Sequence, residues 1–227
     1  DNTSLIAGNN IELSSEADTG PGIDISNSTN MVGKNILIEG VGGVTGSDIT
    51  GVNIYNSNLA ADDLLYIYGV KGDDLYFDSY FYDGVYLTES VLSTLNLDSE
   101  IYIGSRLNEL ELNNSNQFKI IKSHTYSDKS GRIYMDDINL NSQGDLYILG
   151  KGYYDSAINI NNSFLVGSSG IEILGYGHSN SNNTSGIIIK NTSLNSFNSG
   201  NTSIKINGVG GTFLSEMSSG YDKSISD

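Results

Sequence analysis

Cysteine and tryptophan are absent from these 227 residues, and proline occurs once, at Pro21. Without cysteine there can be no disulfide and no thiolate-bound metal, and the two histidines, His124 and His178, are too few for a zinc site. Basic residues are scarce: 11 against 27 acidic ones, a net charge of −16. Such a balance excludes nucleic acid as a partner, because phosphates are bound by clustered Lys and Arg. No apolar run approaches the length of a transmembrane helix, so no membrane insertion is expected. Helix-type spacing of apolar residues is missing too. No signal peptide opens the chain, and Asp1-Asn2-Thr3-Ser4 already lies inside a repeating pattern. The expectation is a single segment, 1–227, excised from a longer protein.

What is present is strict two-residue alternation. Ile23-Asp24-Ile25, Ile36-Leu37-Ile38, Val52-Asn53-Ile54 and Leu65-Tyr66-Ile67 each place apolar, mostly β-branched or aromatic residues at every second position, as half-buried strands do. Apolar residues make up 37% of the chain and recur regularly, which separates it from a disordered Ser/Asn/Gly-rich sequence.

The strands repeat. Copies beginning at Gly22, Gly51, Gly84, Arg132, Ala157 and Gly186 share a template: Gly-apolar-x-apolar-x-Asn-Ser-x-Leu, a short polar gap, then apolar-x-apolar-x-Gly. Aligning them gives apolar columns. One holds Ile25, Ile54, Leu87, Met135, Ile160 and Ile189; another holds Ile38, Ile67, Ile103, Ile148, Ile173 and Ile206. A half copy at Ile11-Glu12-Leu13 precedes them, and a degenerate copy lies within 106–130. One such copy cannot bury its own apolar face, whereas stacked copies build a continuous core. The expected fold is all-β: a right-handed parallel β-helix of about seven rungs. Between the halves stands a polar column of Asn27, Asn56, Glu89, Asp137, Asn162 and Asn191. It is either a hydrogen-bonded ladder or a solvent-facing turn.

Variable loops after the closing glycines are where recognition would sit. The aromatic and acidic loop carrying Tyr76, Asp78, Tyr80 and Tyr82 suits a neutral sugar, with rings for stacking and carboxylates for hydroxyls. The basic stretch with Lys119, Lys122, His124 and Arg132 suits an anionic sugar. In each case a plainer reading stands beside this one: rings sealing the core, and cations balancing charge. The acid pairs Asp62-Asp63, Asp73-Asp74 and Asp136-Asp137 invite comparison with the paired carboxylates of polysaccharide hydrolases. Strand neighbours point to opposite sides, however. The pectinase-type Gly-His-Gly has only Gly177-His178-Ser179 as counterpart, and Arg106 and Arg132 are the only arginines. No enzyme and no cofactor are expected, and any calcium at Asp62, Asp63, Asp73 and Asp74 would be adventitious. Glycosylation sequons include Asn27, Asn113, Asn161, Asn182, Asn191 and Asn201.

The copies GVNIYNSNLAADDLLYIYG, AININNSFLVGSSGIEILG and GIIIKNTSLNSFNSGNTSIKING resemble the repeats of filamentous-haemagglutinin-type exoproteins of two-partner secretion systems, in particular the high-molecular-weight adhesin group. The resemblance covers nearly the whole chain and is weakest over 106–130. It implies export through an outer-membrane transporter partner, display as a fibre on the bacterial cell surface, N-linked sugar addition before export, and contact with a host-cell glycan or receptor. Related toxin-delivery sticks would bind a bacterial receptor instead. A carbohydrate-active β-helix enzyme or phage-type tailspike is the alternative outside that family. The repeat specifies rungs, so the resemblance assigns no site residue.

Overall fold

The computed structural model describes residues 3–43, 49–71, 83–104, 131–152, 156–177, 185–197 and 204–210, and the backbone alone of 109–112, 118–121 and 222–225. The chain forms a parallel β-solenoid with three strand-bearing faces per turn. The first face is a six-stranded parallel sheet of Ile23–Ile25, Val52–Tyr55, Asp83–Thr88, Arg132–Asp136, Ile158–Asn161 and Ile187–Lys190. The second carries short strands such as Val91–Thr94, Asn139–Ser142 and Phe164–Gly167, and the third carries Glu100–Gly104, Asp145–Lys151, Gly170–Tyr176 and Ile204–Val209. In the first two complete turns one long strand, Asn30–Val41 and then Asn58–Val70, runs through both the second and third faces.

The apolar columns set the register. Ile25, Ile54, Leu87, Met135, Ile160 and Ile189 are successive backbone partners, as are Ile38, Ile67, Ile103, Ile148, Ile173 and Ile206 on the third face. Slipping any strand by one residue would turn its apolar set outwards, so burial enforces this pairing. The template leucine forms the matching column of the second face, from Met31 through Leu59, Leu92, Leu140 and Leu165 to Leu194. Together these side chains make one continuous core, partly exposed at its last rung, where Ile187, Ile189, Ile204 and Ile206 pack. The closing glycines fit where the third face bends into the next rung. A Cβ on Gly69 would lie 1.8 Å from the Gly84 carbonyl oxygen, and one on Gly40 would lie 2.1 Å from that of Gly51.

The polar column is a left-handed corner. Asn56, Glu89, Asp137, Asn162 and Asn191 have φ of 45°, 49°, 55°, 47° and 48°, and both Asn27 and Ser28 are left-handed at the first copy. Asparagine tolerates this conformation better than most residues. The pairing of Asn30 with Asn58 sets Ser28, rather than Asn27, beside Asn56, because the first corner holds one extra residue. The column is only in part an amide ladder: Asn191 Nδ2 donates to Asn162 Oδ1 at 3.2 Å, while Asn56 reaches Ser28 Oγ at 3.4 Å. The stronger ladder lies one residue on and is made of hydroxyls. Ser57 and Ser90 donate to the carbonyls of Tyr55 and Thr88 at 2.9 and 2.8 Å, and Ser90 Oγ accepts the Ser57 N–H at 3.1 Å. Ser163 Oγ likewise accepts from Ile138 N–H at 3.2 Å. These buried hydroxyls satisfy backbone groups that a turn would otherwise leave unpaired.

Two expectations need correction. The described strands make about five turns, slightly fewer than the expected seven rungs, because Ser4–Ile6 and Ile11–Glu16 form only part of a turn and Glu109–Leu112 and Phe118–Ile121 pair outside the stacked sheets. Asp83–Thr88 pairs directly with Arg132–Asp136, and Glu100–Gly104 pairs with Asp145–Lys151, so no degenerate rung fits between them. Instead Glu109–Leu112 pairs antiparallel with Phe118–Ile121 in a separate two-stranded sheet. Alternating apolar residues specify strands but not their stacking direction, which is why this segment read as another rung.

The third face also carries a second apolar cluster on its outer side: Leu37, Leu64, Tyr66, Tyr68, Val70 and Tyr102, all buried. Tyr66 and Tyr102 stack with centroids 5.0 Å apart. Burial raises the phenol pKa of Tyr66, Tyr68 and Tyr147, in the case of Tyr68 to about 12, with Glu39 adding to it.

Candidate functional site

The outward side chains of the first face form two columns, fixed by the same register that buries the inner ones. The first runs Asp24, Asn53, Tyr86, Tyr134, Asn159; the second runs Tyr55, Thr88, Asp136, Asn161, Lys190. Beyond the second column the chain turns at the left-handed corner. The first members of both columns and the corner line an open groove of about 890 Å³. Asp24, Ser26 and Asn27 come from one rung, Asn53 and Tyr55 from the next, and Tyr86, Thr88 and Glu89 from the third. Asp136 and Asp137 extend it to the fourth, and Asn162 to the fifth. Its long axis therefore follows the solenoid axis over four steps of about 4.8 Å, roughly 19 Å in all.

The chemistry of the groove is aromatic, amide and carboxylate. Tyr86 stacks on Tyr134 with centroids 5.0 Å apart and planes inclined by 8°. Burial, then the neighbouring Tyr134, Asp83 and Asp136, raise the pKa of the Tyr86 phenol, which stays protonated and able to donate. Asn53 Nδ2 donates to Asp24 Oδ1 at 3.0 Å, and Asn162 Nδ2 donates to Asp136 Oδ1 at 2.9 Å. Among the described residues four carboxylates line the groove and no Lys, Arg or His does. They are strung along it rather than converging: among the described residues no group of three or more His, Cys, Asp or Glu could hold a metal ion.

The acid pair Asp136-Asp137 behaves differently from its reading as strand neighbours on opposite sides. The left-handed φ of 55° at Asp137 breaks the alternation, and both residues line the groove. Asp63 is engaged elsewhere, accepting from Asn96 Nδ2 at 2.7 Å and lying 3.8 Å from Lys34 Nζ.

Of the residues singled out in the sequence, Arg132 is the one best defined. Its Nε donates to Asp83 Oδ1 at 2.6 Å and its Nη2 to Oδ2 at 3.3 Å, and the guanidinium lies 5.3 Å from the Tyr134 ring centroid. Asp83 is fully buried, so this arginine neutralises an internal charge. Its pairing also places the return points of the aromatic and basic insertions on adjacent rungs. Tyr76, Asp78, Tyr80, Tyr82, Lys122 and His124 lie outside the described residues, as do Asn113, Asn182 and Asn201. Lys119 belongs to the antiparallel pair, with its backbone alone described. Asn27 and Asn191 are exposed at the left-handed corner and Asn161 is half-buried at a strand end.

The groove was missed in the sequence because its residues come from five copies, each contributing one to three side chains, some at positions the template leaves free and some in its polar column. The available signal was the non-template column Asp24, Asn53, Tyr86, Tyr134, in which aromatic residues replace small polar ones in consecutive copies. No family model, curated protein or solved structure matches the chain.

Proposed function

We propose that this chain is a segment of a bacterial surface adhesin, a β-helical fibre that contacts glycans on a host cell through the groove on its first face. The observation that carries the reading is the groove itself: the exposed Tyr55 and the half-buried Tyr86 beside carboxylates and amides that line it over five rungs. Sugar rings stack on aromatic faces while their hydroxyls take hydrogen bonds from such groups. A rod of stacked rungs also suits display at a distance from the cell. Export through a dedicated outer-membrane partner belongs to the same reading and rests on the repeat resemblance.

A binding surface and a catalytic one differ in turnover. Because Asp136 and Asp137 share the groove, a polysaccharide-cleaving β-helix is the second reading. A glycan array followed by product analysis separates them. The adhesin reading expects retention of saccharides without cleavage, reduced by Tyr55→Ala with Tyr86→Ala. Cleavage that is lost in Asp136→Asn with Asp137→Asn would replace it with the enzyme reading. Absence of any saccharide binding would remove the groove as the contact site.

A further inference from the structure

The groove has an unbalanced charge that a neutral sugar does not answer. Asp24 and Asp136 each accept a hydrogen bond from an asparagine of the next rung. Glu89 and Asp137 are exposed at successive positions of the corner, where the Glu89 N–H bonds to the Asp136 carbonyl at 3.1 Å. Among the described residues neither carboxylate has a side-chain hydrogen bond or ion pair. In the neighbouring rungs the same corner carries the uncharged Asn56 and Asn162. Stacking two carboxylates about one rung apart is unfavourable in itself. The one described arginine of the face is paired with Asp83, and among the described residues no cation lines the groove.

On the reading that this groove binds glycans, we propose that its ligand is a saccharide chain bearing free amino groups, extended along the solenoid axis, with a ring against the exposed Tyr55 and ammonium groups at Glu89 and Asp137. Three observations converge. The charge is of one sign, so sialylated and sulfated chains are repelled and cationic ones attracted. The acids are distributed along a line and do not converge on a point, which suits a ligand whose charges repeat rather than a single ion. The side chains recur at the rung spacing of about 4.8 Å, close to the advance of one ring in an extended pyranose chain, so successive rings meet successive rungs. Tyrosine faces add cation–π attraction for an ammonium held near them.

The test uses the whole chain and two probes of equal length, a glucosamine hexamer with free amines and its fully N-acetylated counterpart, by calorimetric titration. The expected result is preferential binding of the free-amine form by tenfold or more, weakening as salt is raised. Glu89→Gln with Asp137→Asn should abolish that preference while circular dichroism stays unchanged. Glu12→Gln with Glu16→Gln removes the same charge at exposed positions on the N-terminal rung and should leave the preference intact. Equal or tighter binding of the acetylated hexamer overturns the amino-sugar assignment but leaves a glycan-binding groove standing. A loss as large in the Glu12/Glu16 variant as in the groove variant overturns it too, by reducing the effect to the overall −16 charge. Failure of both hexamers to bind overturns this inference, while the groove reading falls only if the glycan array also retains no saccharide.

Discussion

Replacing Ile160 tests the stacked core at its most constrained point. Ile160 is fully buried, with Met135 and Ile189 as its backbone partners on the adjacent rungs. Truncation to alanine removes three carbons, about 2.4 kcal/mol of transfer free energy at ~0.8 kcal/mol each. The cavity left in a close-packed interior raises the total to about 3–4 kcal/mol. Aspartate at the same place would put an unpaired charge among aliphatic side chains and cost more, roughly 5 kcal/mol. Ile189 occupies the same column but is only partly buried at the last rung, so Ile189→Ala should cost about 1–1.5 kcal/mol. The assay is urea unfolding followed by circular dichroism, with hydrogen exchange to locate the loss. Each rung contacts its neighbours alone, so protection should fall first over the rungs beside Ile160 rather than across the whole stack. Equal costs at Ile160 and Ile189, or an unchanged midpoint for Ile160→Asp, would refute a core built by column stacking.

Arg132→Leu should destabilise by about 3–5 kcal/mol, because it removes the guanidinium paired with the fully buried Asp83 carboxylate. Adding Asp83→Asn should recover much of that, and a single variant as stable as the parent in urea would count against a structural ion pair. At the corner, Asn56→Val should cost about 1–2 kcal/mol by forcing a β-branched residue into φ of 45°, whereas Asn56→Gly should change little. Thermal melts of the pair decide, and equal melting temperatures would show that the corner relaxes. The protein should also resist alkali up to the ordinary phenol value of 10.0 and then lose stability as pH rises through about 12. Tyr68 binds its proton more tightly folded than unfolded, so its contribution is complete below the unfolded pKa and is lost through the folded one. Tyrosinate absorbance rising together with loss of the strand signal is expected. Ionisation of every tyrosine near its ordinary pKa with the fold intact would contradict the burial of the outer cluster.

Much of the architecture follows from the sequence alone, for a physical reason. Apolar residues at every second position must share a face, and a copy too small to bury that face must stack on its like. The columns through Ile25 and Ile38 therefore determine the fold class, the strand register and the rung in which each copy lies. The close approach at Gly40 and Gly69 and the turn at Asn56 belong to the same local rules, since only certain residues fit those backbones. Tertiary structure decided what local pattern leaves free. Alternation does not encode strand direction, so the antiparallel pairing of Glu109–Leu112 had to be seen. The outer polar positions obey no burial constraint, so only the stacked arrangement could bring Asp24, Tyr86 and Asp137 into one groove across copies widely separated in the chain. The partnership of Arg132 with Asp83 depends in the same way on which rungs are neighbours: 49 residues apart in sequence, they become adjacent because Asp83–Thr88 and Arg132–Asp136 are paired strands of successive rungs.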